Sequence, residues 1–178
     1  KKFKKIICVS KNVKQTIIEK IGDPGNLCVK YNPIDNNKII EKSKENIDFD
    51  LPKNKLNFIT VGRLAEQKGY DRLIDVSNKL LDEGFDFNLY IIGFGEIGNL
   101  QRLKNRVKYQ NNIQFLDRKL NPYPYMVKSD CFICSSIWEA YGIAIQESII
   151  LHVPVLMTDC PGATEVFENG KQGIIVEN

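Results

Sequence analysis

The sequence predicts an α/β fold in which a parallel sheet carries helices on both faces. Three observations lead there. From Leu56 onward six short apolar runs recur, LNFITVG, FNLYIIG, NIQFL, DCFICSS, VPVLMT and GIIVE; they are continuous rather than alternating, as strands covered on both faces are. Helical patterns separate them: Tyr70 to Leu81, Gly98 to Val107, a proline-interrupted NPYPYMVK, the stretch after Gly142, and a short turn from Thr164 to Phe167. Strands alternating with helices build parallel crossover units. Polar, glycine-containing loops follow several strands, and ligands of such sheets bind beyond the strands' carboxyl ends. That rule selects Gly62 to Gly69, Gly93 to Gly98, Leu116 to Asn121, and Ser135 to Gly142.

Before Leu56 the pattern is looser. IICVS at 6–10 reads as a buried strand, Asn12 to Ile21 as a helix stopped by Gly22, Asp23, Pro24 and Gly25, and LCVKY at 27–31 as a second strand. NPID, Asn32 to Asp35, opens a charged segment reaching Pro52, helical in its first half and loop in its second, and the best place for a linker or boundary. The 178 residues suffice for one domain with a full core. A net charge of +3, with cations spread among anions, gives no dense basic face and argues against nucleic acid as a partner. KKFKK at the start reads as a solvated end. No apolar run is long enough for a membrane span and no signal peptide opens the chain; starting without methionine beside a strand, it reads as an excised piece. Five scattered cysteines, Cys8, Cys28, Cys131, Cys134 and Cys160, oppose a disulfide framework and suit a reducing compartment. Cys131 and Cys134 form a CxxC pair, yet residues three apart on a strand face opposite ways, so they are expected in the core and not on zinc.

Chemistry concentrates in WEAYGIAIQES, which holds Glu139 and Glu147 eight residues apart around the start of an apolar helix. With the helix starting near Gly142, Glu139 lies in the preceding turn and Glu147 faces outward from the second turn, so both look into one crevice. The helix is apolar on nearly every side except the Gln146, Glu147, Ser148 arc, and is expected to be buried. An ionised glutamate there needs a partner, and vicinal sugar hydroxyls would supply one. The free N–H groups of Tyr141, Gly142 and Ile143 would receive an anion. The plainer alternative has Glu139 capping the helix and Glu147 solvated.

In GRLAEQKG, Arg63 and Lys68 flank a glycine-bounded loop at a helix start, which describes a phosphate site as readily as two surface cations. GFGEIG, Gly93 to Gly98, matches a dinucleotide fingerprint with Asp117 at about a ribose-binding distance, a rival reading that leaves Arg63, Lys68 and the two glutamates unexplained. His152, the sole histidine, sits past the apolar helix where a left-handed cap belongs, and no ordinary metal cluster is available.

Together these stretches resemble the C-terminal, donor-binding half of retaining glycosyltransferases of the GT-B fold, family 4 or group 1. The resemblance runs through NPID at 32–35, GRLAEQKGYDRLI at 62–74, IIGFGEIGNL at 91–100, NPYPYMVKSDCFICSSIWEAYGIAIQE at 121–147, PVLMTDCPGATEV at 154–166 and NGKQGIIVEN at 169–178. It implies that residues 32–178 form a Rossmann-like, nucleotide-sugar-binding domain and that residues 1–31 end, or connect to, an N-terminal acceptor domain. By the same resemblance Glu147 would hold the ribose hydroxyls, Glu139 the donor sugar, and Arg63 with Lys68 the diphosphate, so that no metal is required. Leu116 and Asp117 would line the base, Gly142 and Ile143 would lie near the phosphate, and Gly62, Gly93, Gly95 and Tyr141 would complete the donor site.

Ala140 and Tyr141 stand where glycine and phenylalanine are frequent in that family, Asp117 replaces a frequent glycine, and Pro161 and His152 occupy places often held by glycine. The resemblance further implies a UDP-sugar donor as first choice, a glycan or lipid-linked acceptor, a role in surface polysaccharide synthesis, and a cytoplasmic parent enzyme, peripheral at the inner membrane face. The fragment alone is expected to be inactive. An NAD-binding dehydrogenase or epimerase domain, and a noncatalytic nucleotide-binding or interaction module, stand as alternatives.

Overall fold

A computed structural model describes residues 3–167 and 173–178. Lys1 and Lys2 of the basic run, and 169–172 of the last family-like stretch, lie outside them. Strand β1 (Ile6–Cys8), helix α1 (Lys11–Ile21) and strand β2 (Leu27–Val29) come first, then α2 (Asn36–Lys42). The regular part follows as β3 (Leu56–Val61), α3 (Tyr70–Asp82), β4 (Phe87–Ile92), α4 (Ile97–Lys104), β5 (Ile113–Phe115), α5 (Tyr123–Val127), β6 (Cys131–Cys134), α6 (Ile143–Ile150), β7 (Val155–Thr158) and β8 (Gly173–Val176).

Six strands form one parallel sheet in the order β5-β4-β3-β6-β7-β8. Strand alternation divides the core in two. Ile59, Tyr90, Phe132, Cys134, Val155 and Met157 face one cluster, which also holds Ile145 of α6 and Met126 of α5. Leu89, Ile91 and Ile113 face the other, beneath Tyr70 and Ile74 of α3 and Leu103 of α4. All six residues of β4 are buried, matching its unbroken apolar run. The order reverses between β3 and β6: from β3 the chain winds outward to β5, and from β6 outward to β8. A crevice at the carboxyl ends of these two central strands is the topological consequence.

The first strand is a correction. The run expected to be a buried strand over 6–10 is a three-residue β1 with Ile7 59% exposed, paired only with β2 in a separate two-stranded sheet. Such a ribbon is too small to cover its own apolar side chains. The charged segment expected as a linker is tied in. Asp35 caps α2 by accepting the Lys38 N–H, Ile39 is buried, and Ile47, Phe49 and Leu51 pack on the core shared with α5 and α6. Its charges lie outward and its few apolar residues inward, a pattern too sparse to read as amphipathic.

All five cysteines are free thiols; Cys134 faces the core with Phe132 as expected, whereas Cys131, expected there too, is only half-buried, on the opposite side of β6 with Ile133. His152 adopts the left-handed conformation anticipated for it, φ 57°. Among the described residues no helix is long and apolar enough to cross a membrane.

Candidate donor site

The loops after β3 and β6 meet at the crevice and are stitched together. The Ile137 N–H donates to the Gln67 carbonyl at 2.8 Å, the Ser135 hydroxyl to the Lys68 carbonyl at 2.8 Å, and the Gln67 amide to the Trp138 carbonyl at 3.1 Å. Gly69 turns the first loop into α3 with φ 60°, and a Cβ there would lie 2.2 Å from the Ser135 carbonyl oxygen, so a side chain has neither room nor a favourable backbone. This closeness brings Lys68 to Glu139. Lys68 Nζ donates to Glu139 Oε1 at 2.5 Å, with the side chains only 18% and 10% exposed. The buried Ser136 hydroxyl donates to the same oxygen at 2.7 Å.

Glu139 is held from a third side. Its N–H donates to the Pro161 carbonyl at 2.9 Å, and Gly162, at φ 86°, lies so close that a Cβ would stand 1.9 Å from the Glu139 carbonyl oxygen. Glu139 therefore does not cap α6, which has no side-chain cap. Gly142, at φ 72°, turns the chain into the helix and, with Ile143, lines the same cavity of about 20 Å³ as Lys68, Ser136 and Glu139. The Ile145 and Gln146 N–H groups both donate to the Gly142 carbonyl, at 3.1 and 3.2 Å, while those of Ile143 and Ala144, the first two residues of the helix, have no carbonyl one turn back to bond.

Glu147 stands one turn into α6, half-buried and not solvated. The Tyr123 hydroxyl donates to Glu147 Oε1 at 2.7 Å. Burial raises the Glu147 carboxyl above its ordinary range, and the Tyr123 hydrogen bond opposes that. The outward arc read from the sequence is shifted. Ser148 is fully buried, donating to the Val153 carbonyl, whereas Ile143 is 46% exposed. Because α6 starts at Ile143, that residue shares a stripe with Glu147 four positions on, and Ser148 shares one with buried Ile145. The two glutamates have separate partners, Glu139 on Lys68 and Glu147 on Tyr123.

The remaining expected positions surround this centre. Arg63 is exposed beside Gly62, and among the described residues it makes no ion pair. Gly62 underlies Lys68: a Cβ there would lie 3.1 Å from Lys68 Cε and 2.8 Å from the buried Tyr70 hydroxyl. Gly93 and Gly95 permit close backbone packing, their hypothetical Cβ atoms standing 1.9 Å from the Gly62 carbonyl oxygen and 2.7 Å from that of Leu64. The fingerprint spacing is therefore accounted for by loop-on-loop contact, and Gly98, its last glycine, has open space. Leu116 donates its N–H to Ile91, and Asp117, left-handed at φ 54°, accepts the Gly93 N–H through its carbonyl. Tyr141 stacks on Tyr31 with ring centres 5.0 Å apart and planes 14° from parallel. Ser136, Tyr123, Gly162 and Tyr31 are the neighbours that sequence reading missed; only Gly162, in a Pro-Gly turn, carried a local signal.

The family model for glycosyl transferases group 1 matches residues 22–178, which include every residue of this centre. The chain belongs to that family. It is 38% identical over 125 residues to an uncharacterized glycosyltransferase of Methanocaldococcus jannaschii, a match covering 70% of this chain and 30% of the relative. It is 32% identical over 149 residues to the N-acetylgalactosamine-N,N'-diacetylbacillosaminyl-diphospho-undecaprenol 4-alpha-N-acetylgalactosaminyltransferase of Campylobacter jejuni, covering 83% of this chain and 39% of that one.

Among solved structures, a Rickettsia africae glycosyltransferase superposes with TM-score 0.83 at 26% identity, covering 98% of this chain and 49% of its own. Anabaena HepE in complex with UDP and glucose superposes at 0.82 and 21% identity, with the same coverages. The six-stranded parallel sheet flanked by helices is the Rossmann-like half of a GT-B glycosyltransferase. This group 1 chain spans well under half the length of the two relatives and about half that of the two solved structures.

Proposed function

We propose that residues 32–178 are the donor-binding domain of a retaining glycosyltransferase that takes its sugar from a nucleoside diphosphate sugar, UDP-sugar before others. The observation that carries this reading is the Lys68–Glu139 pair at the sheet's reversal point, beside the start of α6. Breaking a sugar–phosphate bond leaves negative charge on the diphosphate and positive character on the sugar. A cation and helix N–H groups at the leaving group, with a carboxylate towards the sugar, oppose both charges where they develop. Lys68 and Glu139 neutralise each other around a cavity of about 20 Å³, too small for a diphosphate. Donor entry therefore parts them, Lys68 turning with exposed Arg63 to the phosphates and Glu139 to sugar hydroxyls. Glu147 takes the ribose diol, and the backbone at Leu116 and Asp117 borders the base.

Residues 1–31 fit the end of an N-terminal, acceptor-holding domain, since β1 and β2 form a ribbon too small to stand alone. The named substrate of the Campylobacter relative and the UDP in the Anabaena complex support a lipid-linked or glycan acceptor and a uridine donor; on the same reading the parent enzyme acts in surface polysaccharide synthesis, at the cytoplasmic face of a membrane. Calorimetric titration with UDP, GDP, ADP and NAD tests the donor reading. One nucleoside diphosphate should bind and be weakened at least tenfold by Glu147→Ala and by Arg63→Ala with Lys68→Ala. Binding of NAD that is indifferent to Glu147 would overturn it.

A further inference from the structure

We propose that Tyr123 is a positioning residue that holds the Glu147 carboxylate in the one orientation able to accept both hydroxyls of a nucleoside's ribose. The inference rests on the donor-site reading of Glu147 and adds a residue outside the expected site. Tyr123 opens α5, in the loop region beyond the carboxyl end of β5, and its hydroxyl donates to Glu147 Oε1 at 2.7 Å. Its own position is fixed from several directions. Pro122 and Pro124 restrain the backbone on either side, the Tyr123 N–H donates to the Asn121 side chain at 3.2 Å, and the next three residues are buried. Asn121 is anchored in turn, its amide donating to the Lys42 carbonyl and to the Glu45 carboxylate, each at 2.8 Å.

The tyrosine does two things for a carboxylate. Burial favours the neutral acid, which would point a proton where a diol needs an acceptor; a phenol donor stabilises the ionised form instead. Geometrically, an ionised carboxylate has about four lone-pair sites. Tyr123 takes one on Oε1 and restrains rotation of the group, which leaves the remaining sites for the two vicinal hydroxyls. A rigid acceptor distinguishes a diol from a single hydroxyl, because the deoxy analogue leaves a buried lone pair unmatched.

The test uses the full-length protein, titrated with UDP, GDP and ADP, and then with the 2′-deoxy and 3′-deoxy forms of whichever binds tightest. Wild type should favour the ribonucleotide over either deoxy form by roughly tenfold or more. Tyr123→Phe keeps the ring and should weaken the ribonucleotide about tenfold while leaving the deoxy forms within about twofold, so that discrimination collapses. Adding Tyr123→Phe to Glu147→Ala should cost nothing more. In turnover the loss should fall on the donor KM, with kcat nearly unchanged, since ribose contacts are alike in ground and transition states. Unchanged ribonucleotide affinity in Tyr123→Phe, or equal weakening of ribo and deoxy forms, overturns the role of Tyr123 while leaving the donor site standing. Failure of wild type to bind any of the three nucleotides overturns the donor reading, and this inference with it.

Discussion

Replacing Lys68 by methionine separates the central ion pair without emptying its space. At 2.5 Å, and with an effective dielectric of about 20, the attraction is roughly 7 kcal/mol, and desolvating two ions offsets several kcal/mol of it. The side chains are 18% and 10% exposed, between the surface pairs that contribute about 0–1 kcal/mol and the buried pairs whose disruption costs about 3–5 kcal/mol. Lys68→Met should therefore lower unfolding free energy by about 2–4 kcal/mol, since Glu139 keeps only Ser136 as a side-chain donor. Glu139→Gln should lose less, and the double variant should recover most of the single loss, for then no charge is stranded. Urea unfolding of the four proteins yields the coupling energy directly. A coupling below about 0.5 kcal/mol would mean that the two groups do not recognise each other in solution, and the central role given to the pair would be wrong.

Three further outcomes follow from the same site. Burial raises the pKa of Glu147, so the folded state binds more protons than the unfolded one and stability falls as pH rises through that interval. Glu147→Gln should accordingly gain about 0.5–2 kcal/mol at pH 7 and little below about pH 4, by urea unfolding at both; an equal gain at both refutes the burial penalty. Gly162→Ala should lose about 2–4 kcal/mol, from a positive-φ backbone and a collision with the Glu139 carbonyl, whereas Gly84→Ala, at φ 90° with open space, should lose only the backbone part of about 1–2 kcal/mol. Denaturation midpoints that match would show that the Pro161–Gly162 turn does not press on Glu139. Asp117→Gly relieves a left-handed aspartate whose carbonyl, accepting from Gly93, is its structural contact. Nucleoside diphosphate affinity should stay within about twofold, while a dinucleotide site reading the Asp117 carboxylate would lose its ligand.

How far such a site can be read from sequence depends on the range of the interaction. Strands β3 to β8 and the loops that follow them were legible because continuous apolar runs and glycine punctuation are local signals. Lys68 and Glu139 stood out by residue type and place, but their pairing was not readable: it depends on β3 and β6 being neighbours, a fact of strand order. The same is true of Tyr123, which meets Glu147 from 24 residues away and, inside NPYPYMVK, looks like one more apolar ring. β1 failed for the opposite reason. IICVS has a buried strand's composition, yet the two-stranded ribbon is covered on one side only, so that Cys8 is buried while Ile7 stays exposed.

The N-terminal segment nevertheless touches the candidate site, and the contact constrains how the start of α6 is held. Glu165 accepts the N–H groups of Lys11 and Asn12 at the start of α1 and the hydroxyl of Tyr31, while the Tyr31 ring lies on Tyr141, immediately before Gly142. The start of α6 is thereby braced from the ribbon on one side and by Gly162 through Glu139 on the other. A helix start that offers its N–H groups to an anion is useful only if it does not rearrange to satisfy them internally. Bracing it from two independent loops holds those donors in place before any ligand arrives. The ion pair beside them keeps the flanking charges from attracting other partners, and under the proposed function it is also the contact that a donor has to replace.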